Sequence, residues 1–503
     1  MADTKREIER KYEAAAGDEL PDLTRVGGVS GVLDKGLAEL DATYYDTADQ
    51  HLAASSITLR RRTGGDDAGW HLKLPVSDGV RDEIRAPLSD TVPETLAALV
   101  RSRVRDAELV PLVRLRSSRD IRHLVDADGN LLAEVSVDRV RAQRLSGGTG
   151  TAEWTETEVE LADDGDPAFL DKVDKKLRKA GLRRSSAPSK LARALEETSE
   201  GTGPPTAAGP QQPPVTAGDH VLAYARAQRD AIVELDPAVR RDVFDSVHSM
   251  RVATRRLRST FRSYDKVLDR GVTDPIADEL KWLAGELGID RDQEVLTERL
   301  MAALDELPPS LLSGPVRDRL DTWSQGRRGG SRQRLTDVLD GKRYLELLDA
   351  LDTLIADPPL LKAAAKDPAK ALAKAVRKDF GKVAGLVVQA LDLPSGHDRD
   401  VAMHEARKKA KRTRYAAEAA APALGKPAEA LVKAMKSLQT LLGDHQDSVM
   451  AREALLELSA EAYAAAENAF TYGVLYGREE QRAAAAEAAL PETWQTVEKE
   501  ARV

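Results

Sequence analysis

The stretch EIERKY at residues 7–12 decides how the first half of the chain folds. On a β-strand Glu7, Glu9 and Lys11 share one face, because successive side chains of a strand point to opposite sides. Two carboxylates that point the same way repel each other unless a cation lies between them, and hard divalent cations prefer oxygen ligands. The alternative is a solvated edge strand, since charged alternation is also common on exposed sheet faces. This stretch alone leaves both interpretations open.

Other extended runs in the first half carry the same alternation with either sign of charge. Arg60 and Arg62 share one strand face, and so do Glu158 and Glu160. Turn sequences such as TGGDD at residues 63–67 separate the runs, which is typical of antiparallel strands joined by hairpins. A sheet closed into a barrel would point these charges inward, so we predict a polar lumen. Such a lumen suits phosphates, which guanidinium and ammonium groups bind, and Mg²⁺ or Mn²⁺ held by carboxylates.

The composition limits the chemistry that the chain can perform. Its 503 residues are 42% hydrophobic and 32% charged, with no cysteine, which excludes disulfides, zinc-thiolate sites, iron-sulfur clusters and cysteine nucleophiles. The formal net charge of -9 means that any polyanion must bind to local basic clusters. The sequence shows neither a signal peptide nor a long apolar run. We therefore expect a cytoplasmic protein without a membrane segment.

A change of composition divides the chain into two domains. Residues 199–218 are rich in Pro, Gly, Thr and Gln and predict a flexible linker between a strand-rich domain at 1–198 and a helical domain at 219–503. The helical part repeats its motifs in the same order, which predicts two similar bundles at about 219–345 and 346–503. The expected fold is thus an N-terminal antiparallel eight-stranded β tunnel of the α+β class and a C-terminal all-α duplicated helical bundle.

Each helical repeat carries a stripe of basic side chains. The first stripe, at spacings of 3, 4, 3 and 4 residues, comprises His248, Arg251, Arg255, Arg258 and Arg262. The second comprises His404, Arg407, Lys411 and Arg414. Like charges at these spacings destabilise an isolated helix by roughly 0.2 to 0.5 kcal/mol per pair, and a bound polyanion would explain why they are tolerated.

Two other interpretations of the stripes stay open. One is a solvated cationic face, and the weaker one is zinc binding by His248 and His404, neither of which has a second ligand on its own helical turn. The remaining histidines His220, His397 and His445 are interpreted as incidental or structural.

The first domain resembles the CYTH family of triphosphate tunnel metalloenzymes. The resemblance rests on the Glu-x-Glu-x-Lys start at 7–11, the strand at 59–62, Lys73, Glu83, Arg119, Glu134 with Asp138, the strand at 158–160 and Ser189-Lys190. It implies an eight-stranded tunnel that hydrolyses triphosphate with a divalent metal. The catalytic residues implied are Glu7, Glu9 and Lys11. The metal ligands implied are Glu7, Glu9, Asp138, Glu158 and Glu160. The substrate-binding residues implied are Lys11, Arg60, Arg62, Lys73, Glu83, Arg119 and Lys190.

The second domain resembles the CHAD domain, a helical module often found behind a CYTH domain. The two stripes and two Leu-Gly-x-x-x-Asp segments, at 287–292 and 442–447, carry the match. The resemblance implies polyphosphate binding in a basic groove. The residues implied are His248, Arg251, Arg255, Arg256, Arg258, Arg262, His404, Arg407, Lys408, Lys411, Arg412 and Arg414.

Together the two resemblances predict an enzyme. We expect metal-dependent hydrolysis of inorganic triphosphate or short polyphosphate in the tunnel, Mg²⁺ or Mn²⁺ as the cofactor, and a cytoplasmic location that includes polyphosphate deposits. The alternatives are a non-enzymatic polyphosphate-binding protein and an adenylate cyclase. Nucleic-acid binding is a weaker alternative, because aromatic residues make up only 4% of the chain and stacking surfaces need several exposed rings.

Overall fold

The computed structural model describes residues 3–14, 20–199, 213–328 and 331–501. The chain divides into two compact units between Gln211 and Gln212. Residues 200–212, most of the predicted linker, lie outside the described residues. Within the described ranges, no helix combines the length and the apolar character that crossing a membrane requires.

The first unit is built on antiparallel strands. The strands described are β1 (Asp3–Ala14), β2 (Gly31–Asp46), β3 (Thr58–Thr63), β4 (Gly69–Ser77), β5 (Val80–Ala86), β6 (Val110–Val125), β7 (Leu131–Arg144), β8 (Thr151–Leu161) and β9 (Arg183–Arg184). Their order is β5-β4-β3-β2-β6-β7-β8-β1-β9, and β5 also pairs with β1. This last pairing closes β1 to β8 into an eight-stranded barrel, as expected from the sequence, and leaves β9 as a short addition to β1.

Helices cover the outside of the barrel, and one further helix fills one of its ends. The helices are α1 (His51–Ala54), α2 (Glu94–Val104), α3 (Ala168–Lys179) and α4 (Lys190–Glu197). Tyr12 points outward and packs in a cluster with Phe169 of α3, and the outer faces of β3 to β5 pack in the same way on α2. Burial of such side chains stabilises the fold by roughly 1.5 to 3 kcal/mol each.

The barrel interior is polar along only part of its length. Trp154 lies on the same strand face as Glu156 and Glu158, and it packs with Leu191 and Leu195 of α4 in a separate apolar cluster. The alternation along β8 thus turns from charged to apolar residues towards one end of the barrel. We infer that α4 closes this end of the barrel.

The described residues of the second unit form helices and their connections, with one isolated antiparallel bridge between Leu268 and Leu360. Its helices are α5 (Ala217–Arg240), α6 (Ser246–Ser263), α7 (Arg270–Glu286), α8 (Ile289–Asp305), α9 (Val316–Arg328), α10 (Ser331–Asp340), α11 (Lys342–Ala356), α12 (Pro368–Asp392), α13 (His397–Leu424), α14 (Lys426–Ala464) and α15 (Phe470–Glu500), with a 3-10 turn at Pro309–Leu311. The first of these begins at Ala217, because the Thr216 and Asp219 side chains bond each other's backbone N–H groups in a capping box.

The two sequence repeats occupy related but unequal helices. The first basic stripe lies on α6 and the second on α13, and both helices pack into one large apolar cluster. Leu287 and Gly288 separate α7 from α8, whereas Leu442 and Gly443 lie inside the continuous helix α14. Residues 345 and 346 both belong to α11, so a division between the repeats at that point would cut a helix.

Candidate functional sites

The polar part of the barrel holds a cavity of about 180 Å³. Nine cationic side chains line it: Lys5, Lys11, Arg60, Arg62, Lys73, Arg81, Arg85, Arg119 and Lys190. Six carboxylates line it as well: Glu7, Asp67, Glu83, Glu134, Glu158 and Glu160. Tyr44, Thr58 and Ser189 complete the wall, so that no aliphatic side chain contributes to the described lining. The excess of positive charge in this lining favours a compact anion over a cation or a neutral ligand.

One part of the wall is organised around Glu83, which is 2% exposed. The carboxylate lies 2.5 Å from Arg85 and 3.7 Å from each of Lys73 and Arg60, and it is hydrogen-bonded to Nδ1 of His71 at 3.0 Å. Burial alone would raise the pKa of Glu83. The bond with His71 and the charge of Lys73 instead hold that pKa well below its usual range. Glu83 therefore fixes the positions of cations around it.

A second part is organised around Lys190, at the start of α4. Its ammonium group lies 2.6 Å from carboxylate oxygens of both Glu156 and Glu158 and 3.0 Å from Asp138. Arg119 makes a two-pronged contact with Asp138 at 2.7 Å. Although burial alone would lower the pKa of Lys190, the charges of Asp138 and Glu156 raise it well above its usual value. The ammonium is therefore charged at physiological pH.

The EIERKY strand supplies the remaining charges as the alternation predicts. Lys11 lies 2.8 Å from Glu158 and 3.1 Å from Glu9, and Lys73 lies 2.6 Å from Glu7. Burial opposes the charge on Lys11, but Glu158 and Glu9 raise its pKa above the usual value. Burial also opposes the charge on Glu9, and Lys11 lowers its pKa below the usual value. Each group thus stabilises the charged form of its neighbour.

Two sets of carboxylates have the chemistry of metal ligands, namely Glu7 with Glu160 and Asp138 with Glu156 and Glu158. Oε2 of Glu7 is buried without a hydrogen-bond partner, and burial together with the charge of Glu7 raises the pKa of Glu160. Oxygens of Asp138, Glu156 and Glu158 also lie within 4.8 Å of one another, but the ammonium of Lys190 already lies against these three. Lysines also lie against Glu7 and Glu160, with Lys73 at 2.6 Å and Lys5 at 2.7 Å. A divalent cation between Glu7 and Glu160 would relieve the repulsion of these two carboxylates.

The structure brings the residues predicted from the sequence into one site but gives them different positions. Glu9 and Asp138 are buried behind the cavity wall, where they contact Lys11 and Arg119. The sequence analysis missed Tyr44, which accepts a hydrogen bond from Arg60 at 3.4 Å, and Asp67, which pairs with Arg62. It also missed Lys5, and it gave no role to Ser189, which it named only as part of the motif at 189–190. The spacing of two residues from Glu7 could have revealed Lys5, whereas Asp67 belongs to a turn, which has no such pattern.

The helical unit holds a groove of about 1090 Å³ between the two stripes. The Lys and Arg side chains that line it are Arg251, Arg255, Arg258, Arg262, Lys281, Arg299, Arg407, Lys408, Lys409, Lys411, Arg412, Arg414 and Lys436. His248 and His404 face the same groove. Among the described lining residues Asp447 is the only carboxylate. This charge imbalance is far larger than that of the barrel cavity and fits an extended polyanion.

The glycines of the Leu-Gly segments give space to one arginine of each stripe. A Cβ atom on Gly288 would lie 2.7 Å from Cζ of Arg251, and a Cβ on Gly443 would lie 3.4 Å from a terminal nitrogen of Arg407. The guanidinium groups therefore lie directly over glycine backbone in both repeats. Arg407 also lies 3.8 Å from Asp447, the last residue of the second segment. The side chains of Asp290, Arg291 and Asp292 lie outside the described residues.

Several cations predicted to bind polyphosphate have carboxylate partners in the protein, among them Arg256, Arg412 and Lys408. Arg256 does not line the groove, and its guanidinium lies 3.1 Å from Glu418. Arg412 lies 2.9 Å from Asp379 and Lys408 lies 2.6 Å from Glu405, although both line the groove. Residue 256 follows Arg255 by one position, which turns it about 100° around the helix axis.

Lys411 is the most perturbed cation of the groove. It lies among Arg251 and Arg255 of α6 and Arg407 of its own helix, and Asp447 of α14 offsets them only partly. Burial and these neighbouring guanidinium groups lower the pKa of Lys411 to about 7. The groove therefore stores unfavourable cation repulsion that a bound anion would relieve.

Comparison with known proteins supports this two-part organisation. The CYTH domain model matches residues 5–195, and the CHAD domain model matches residues 223–456. The chain is 38% identical over 488 residues to the uncharacterized protein MT2285 of Mycobacterium tuberculosis, a match that covers 94% of this chain and 92% of the relative.

Two solved structures are similar in part. One is PptA from Streptomyces chartreusis, with 23% identity over 56% of this chain and 100% of that one, at a TM-score of 0.46. The other is the CHAD domain from the plant Ricinus communis, with 24% identity over 56% of this chain and 89% of that one, at a TM-score of 0.39. On the two family matches and the nearly full-length relative, the chain belongs to the proteins in which a CYTH domain is followed by a CHAD domain.

Proposed function

We propose that the barrel hydrolyses inorganic triphosphate, or the end of a short polyphosphate, with a divalent metal, and that the helical groove binds polyphosphate. The observation that carries the first part is the cavity wall, in which nine cations and six carboxylates surround a small space without aliphatic side chains. Cations alone would serve a phosphate sensor. Carboxylates in the same wall cost phosphate affinity, so their presence favours a hydrolase that also uses a metal.

The contacts suggest how the wall receives substrate. Most lining cations are held by carboxylates, such as Lys73 by Glu7 and Lys11 by Glu158. Phosphate oxygens would replace these carboxylates as partners of the cations, and the carboxylates freed in this way would become available to a metal. Glu83 and Asp138 would keep Lys73 and Arg119 aimed at the phosphates, which makes them positioning residues.

Glu7 and Glu160 would hold the metal, with Glu9 and Glu158 beside them. When bound, a divalent ion lowers the pKa of water and neutralises charge on the phosphate oxygens. Lys11 and Lys190 would stabilise charge on the phosphate that departs, because both stay protonated against burial. Arg60 and Arg119 would orient the phosphate chain of the substrate, each through two hydrogen bonds to phosphate oxygens.

The cavity wall offers little to a nucleobase. Tyr44 provides the only ring in the described lining, and its hydroxyl group contacts Arg60. A nucleotide pocket needs apolar surface on both faces of the base. An adenylate cyclase is therefore the less favoured reading of the same charges.

The deciding experiment uses the full-length protein and two substrates. We expect release of orthophosphate from tripolyphosphate with Mg²⁺ or Mn²⁺, its loss in excess EDTA, and its return when metal is added back. ATP should yield no cyclic AMP under the same conditions. Formation of cyclic AMP would support the cyclase. Binding of tripolyphosphate without any turnover would support a sensor and contradict the hydrolase.

The helical groove supports polyphosphate binding through its charge and its length. The described lining contains thirteen Lys and Arg side chains but a single carboxylate, that of Asp447. Such contacts are screened by salt, so affinity should fall steeply as ionic strength rises. The pairing of Arg256 with Glu418 suggests a supporting role for Arg256, since Glu418 also lies 3.3 Å from Arg414.

Lys411 should make polyphosphate binding depend on pH. The free groove holds the pKa of Lys411 at about 7, and bound phosphates would raise that pKa, so binding takes up a proton above pH 7. Affinity should therefore be highest at low pH and fall by up to about tenfold per pH unit above 7. Lys411→Arg stays charged throughout and should flatten the profile.

This dependence is best measured between pH 7.5 and 9, above the range in which imidazole groups ordinarily titrate. Fluorescence anisotropy of labelled long-chain polyphosphate at constant ionic strength gives the affinity. Parallel profiles for the wild type and Lys411→Arg would contradict the assignment of the proton to Lys411.

A further inference from the structure

We propose that Asp400, His445 and Glu487 form a separate binding site for a divalent transition-metal ion such as Zn²⁺ in the helical unit. The three residues come from α13, α14 and α15, and one ligand atom of each lies within 4.8 Å of the others. None of them lines the barrel cavity or the polyphosphate groove. The site is thus independent of the proposed hydrolysis and of the proposed polyphosphate binding.

The distances between the ligand atoms fit a tetrahedral ion. Nε2 of His445 lies 3.2 Å from Oδ1 of Asp400 and 3.5 Å from Oε1 of Glu487. Ligand atoms about 2.0 to 2.1 Å from Zn²⁺ in tetrahedral geometry stand about 3.3 to 3.4 Å apart. These two distances match the tetrahedral spacing, and the two carboxylate oxygens lie within 4.8 Å of each other.

The histidine gives an independent indication of a ligand. His445 is 1% exposed, and its Nε2 makes no hydrogen bond although two carboxylate oxygens lie close to it. A buried ring nitrogen without a partner costs free energy, and native structures seldom leave one. A metal ion between the nitrogen and the two oxygens would satisfy all three atoms at once.

The far side of each carboxylate is already occupied. Oε2 of Glu487 accepts a hydrogen bond from Ser395 at 2.6 Å and lies 3.3 Å from Arg399. Oδ2 of Asp400 lies 3.6 Å from Arg452. Metal-binding carboxylates are commonly held by such outer partners, which leave the other oxygen for the ion. The positive charges of Arg399 and Arg452 also lower the affinity of the site for a cation. We therefore expect it to take an ion that binds imidazole and carboxylate ligands more tightly than Mg²⁺ does.

The role that follows is structural. Three protein ligands from three long helices would link α13, α14 and α15, with water in the fourth position. The competing interpretation is a protonated His445 that bridges the two carboxylates without a metal. The two differ in what happens when Zn²⁺ is added.

The test uses untagged full-length protein, stripped with chelator and dialysed against Zn²⁺. Wild type should bind one equivalent more Zn²⁺ per chain than His445→Gln, and Zn²⁺ should raise the thermal unfolding midpoint of the wild type more. The matched control is His220→Gln, which removes another buried histidine from α5 and should retain the full equivalent.

The same zinc content in wild type and His445→Gln would overturn the proposal. So would a loss of stability in His445→Gln that is equal with and without Zn²⁺, because that result identifies the metal-free bridge. If His445→Gln does not fold, Asp400→Asn replaces it, since the amide keeps the volume and loses the charge. Retention of the full zinc equivalent by folded Asp400→Asn would again overturn the proposal.

Discussion

Glu7→Gln and Glu9→Gln should each lower the rate of tripolyphosphate hydrolysis by at least about 1000-fold, a loss of about 4 kcal/mol in transition-state stabilisation. Glu7 carries the buried oxygen without a partner, and Glu9 holds Lys11 at 3.1 Å. Gln keeps the volume of Glu and removes the negative charge that a metal and a lysine both need. The measurement is the initial rate of orthophosphate release at saturating Mg²⁺ and at saturating Mn²⁺.

The control for these variants is Glu13→Gln, on the same strand. Glu13 is exposed and does not line the cavity, so the same chemical change should leave the rate unchanged. Thermal unfolding should show that all three variants remain folded. When Glu7 is replaced, Lys73 still has a carboxylate partner in Glu83, at 3.7 Å. Near-normal turnover in both Glu7→Gln and Glu9→Gln would remove these residues from the site.

Replacement of four groove cations should nearly abolish polyphosphate binding. The variant changes Arg251, Arg255, Arg407 and Lys411 to Ala. At about 1 kcal/mol or more for each lost charge-assisted contact, affinity should fall by at least about 1000-fold. The measurement is a titration of full-length protein with labelled long-chain polyphosphate at fixed salt.

A second quadruple variant controls for net charge. It changes four cations outside the groove lining, namely Arg270, Arg332, Lys342 and Arg343, to Ala. The charge change is the same below pH 7, where Lys411 is charged, so the comparison is made there. A binding loss shared by both variants would mean that only the overall field matters. Undiminished binding by the groove variant would mean that the stripes are solvated faces.

The barrel and most of its charged lining could be predicted because strand alternation is strict. Once Glu7 points inward, the period of two places Glu9 and Lys11 on the same side of the strand. The pairing of charges could not be predicted in this way, since it depends on barrel closure. Lys190 reaches the buried carboxylates from a helix, and Trp154 turns one end of the lumen apolar.

In the helical unit, residue spacing predicted the two basic stripes, but it did not predict the contacts of the residues next to them. The period of 3.6 residues aligns Arg251 with Arg255, but adjacent Arg256 faces Glu418 on another helix. The sequence analysis interpreted His445 as structural or incidental. Its two carboxylate neighbours come from α13 and α15, so spacing within its own helix could not reveal them. Only packing of three helices brings those side chains together.

The packing of arginine over glycine in both repeats has a consequence for what the groove can distinguish. Arg251 over Gly288 and Arg407 over Gly443 present the same chemical group from two related helices. A linear polyphosphate has identical ends and therefore no direction, so it meets matching guanidinium groups whichever end enters first. Two equivalent orientations favour association by about 0.4 kcal/mol. A strand with two different ends would gain the same two orientations, because the related helices repeat the contact. The duplication by itself therefore gives the groove no means to sense the direction of a bound polymer.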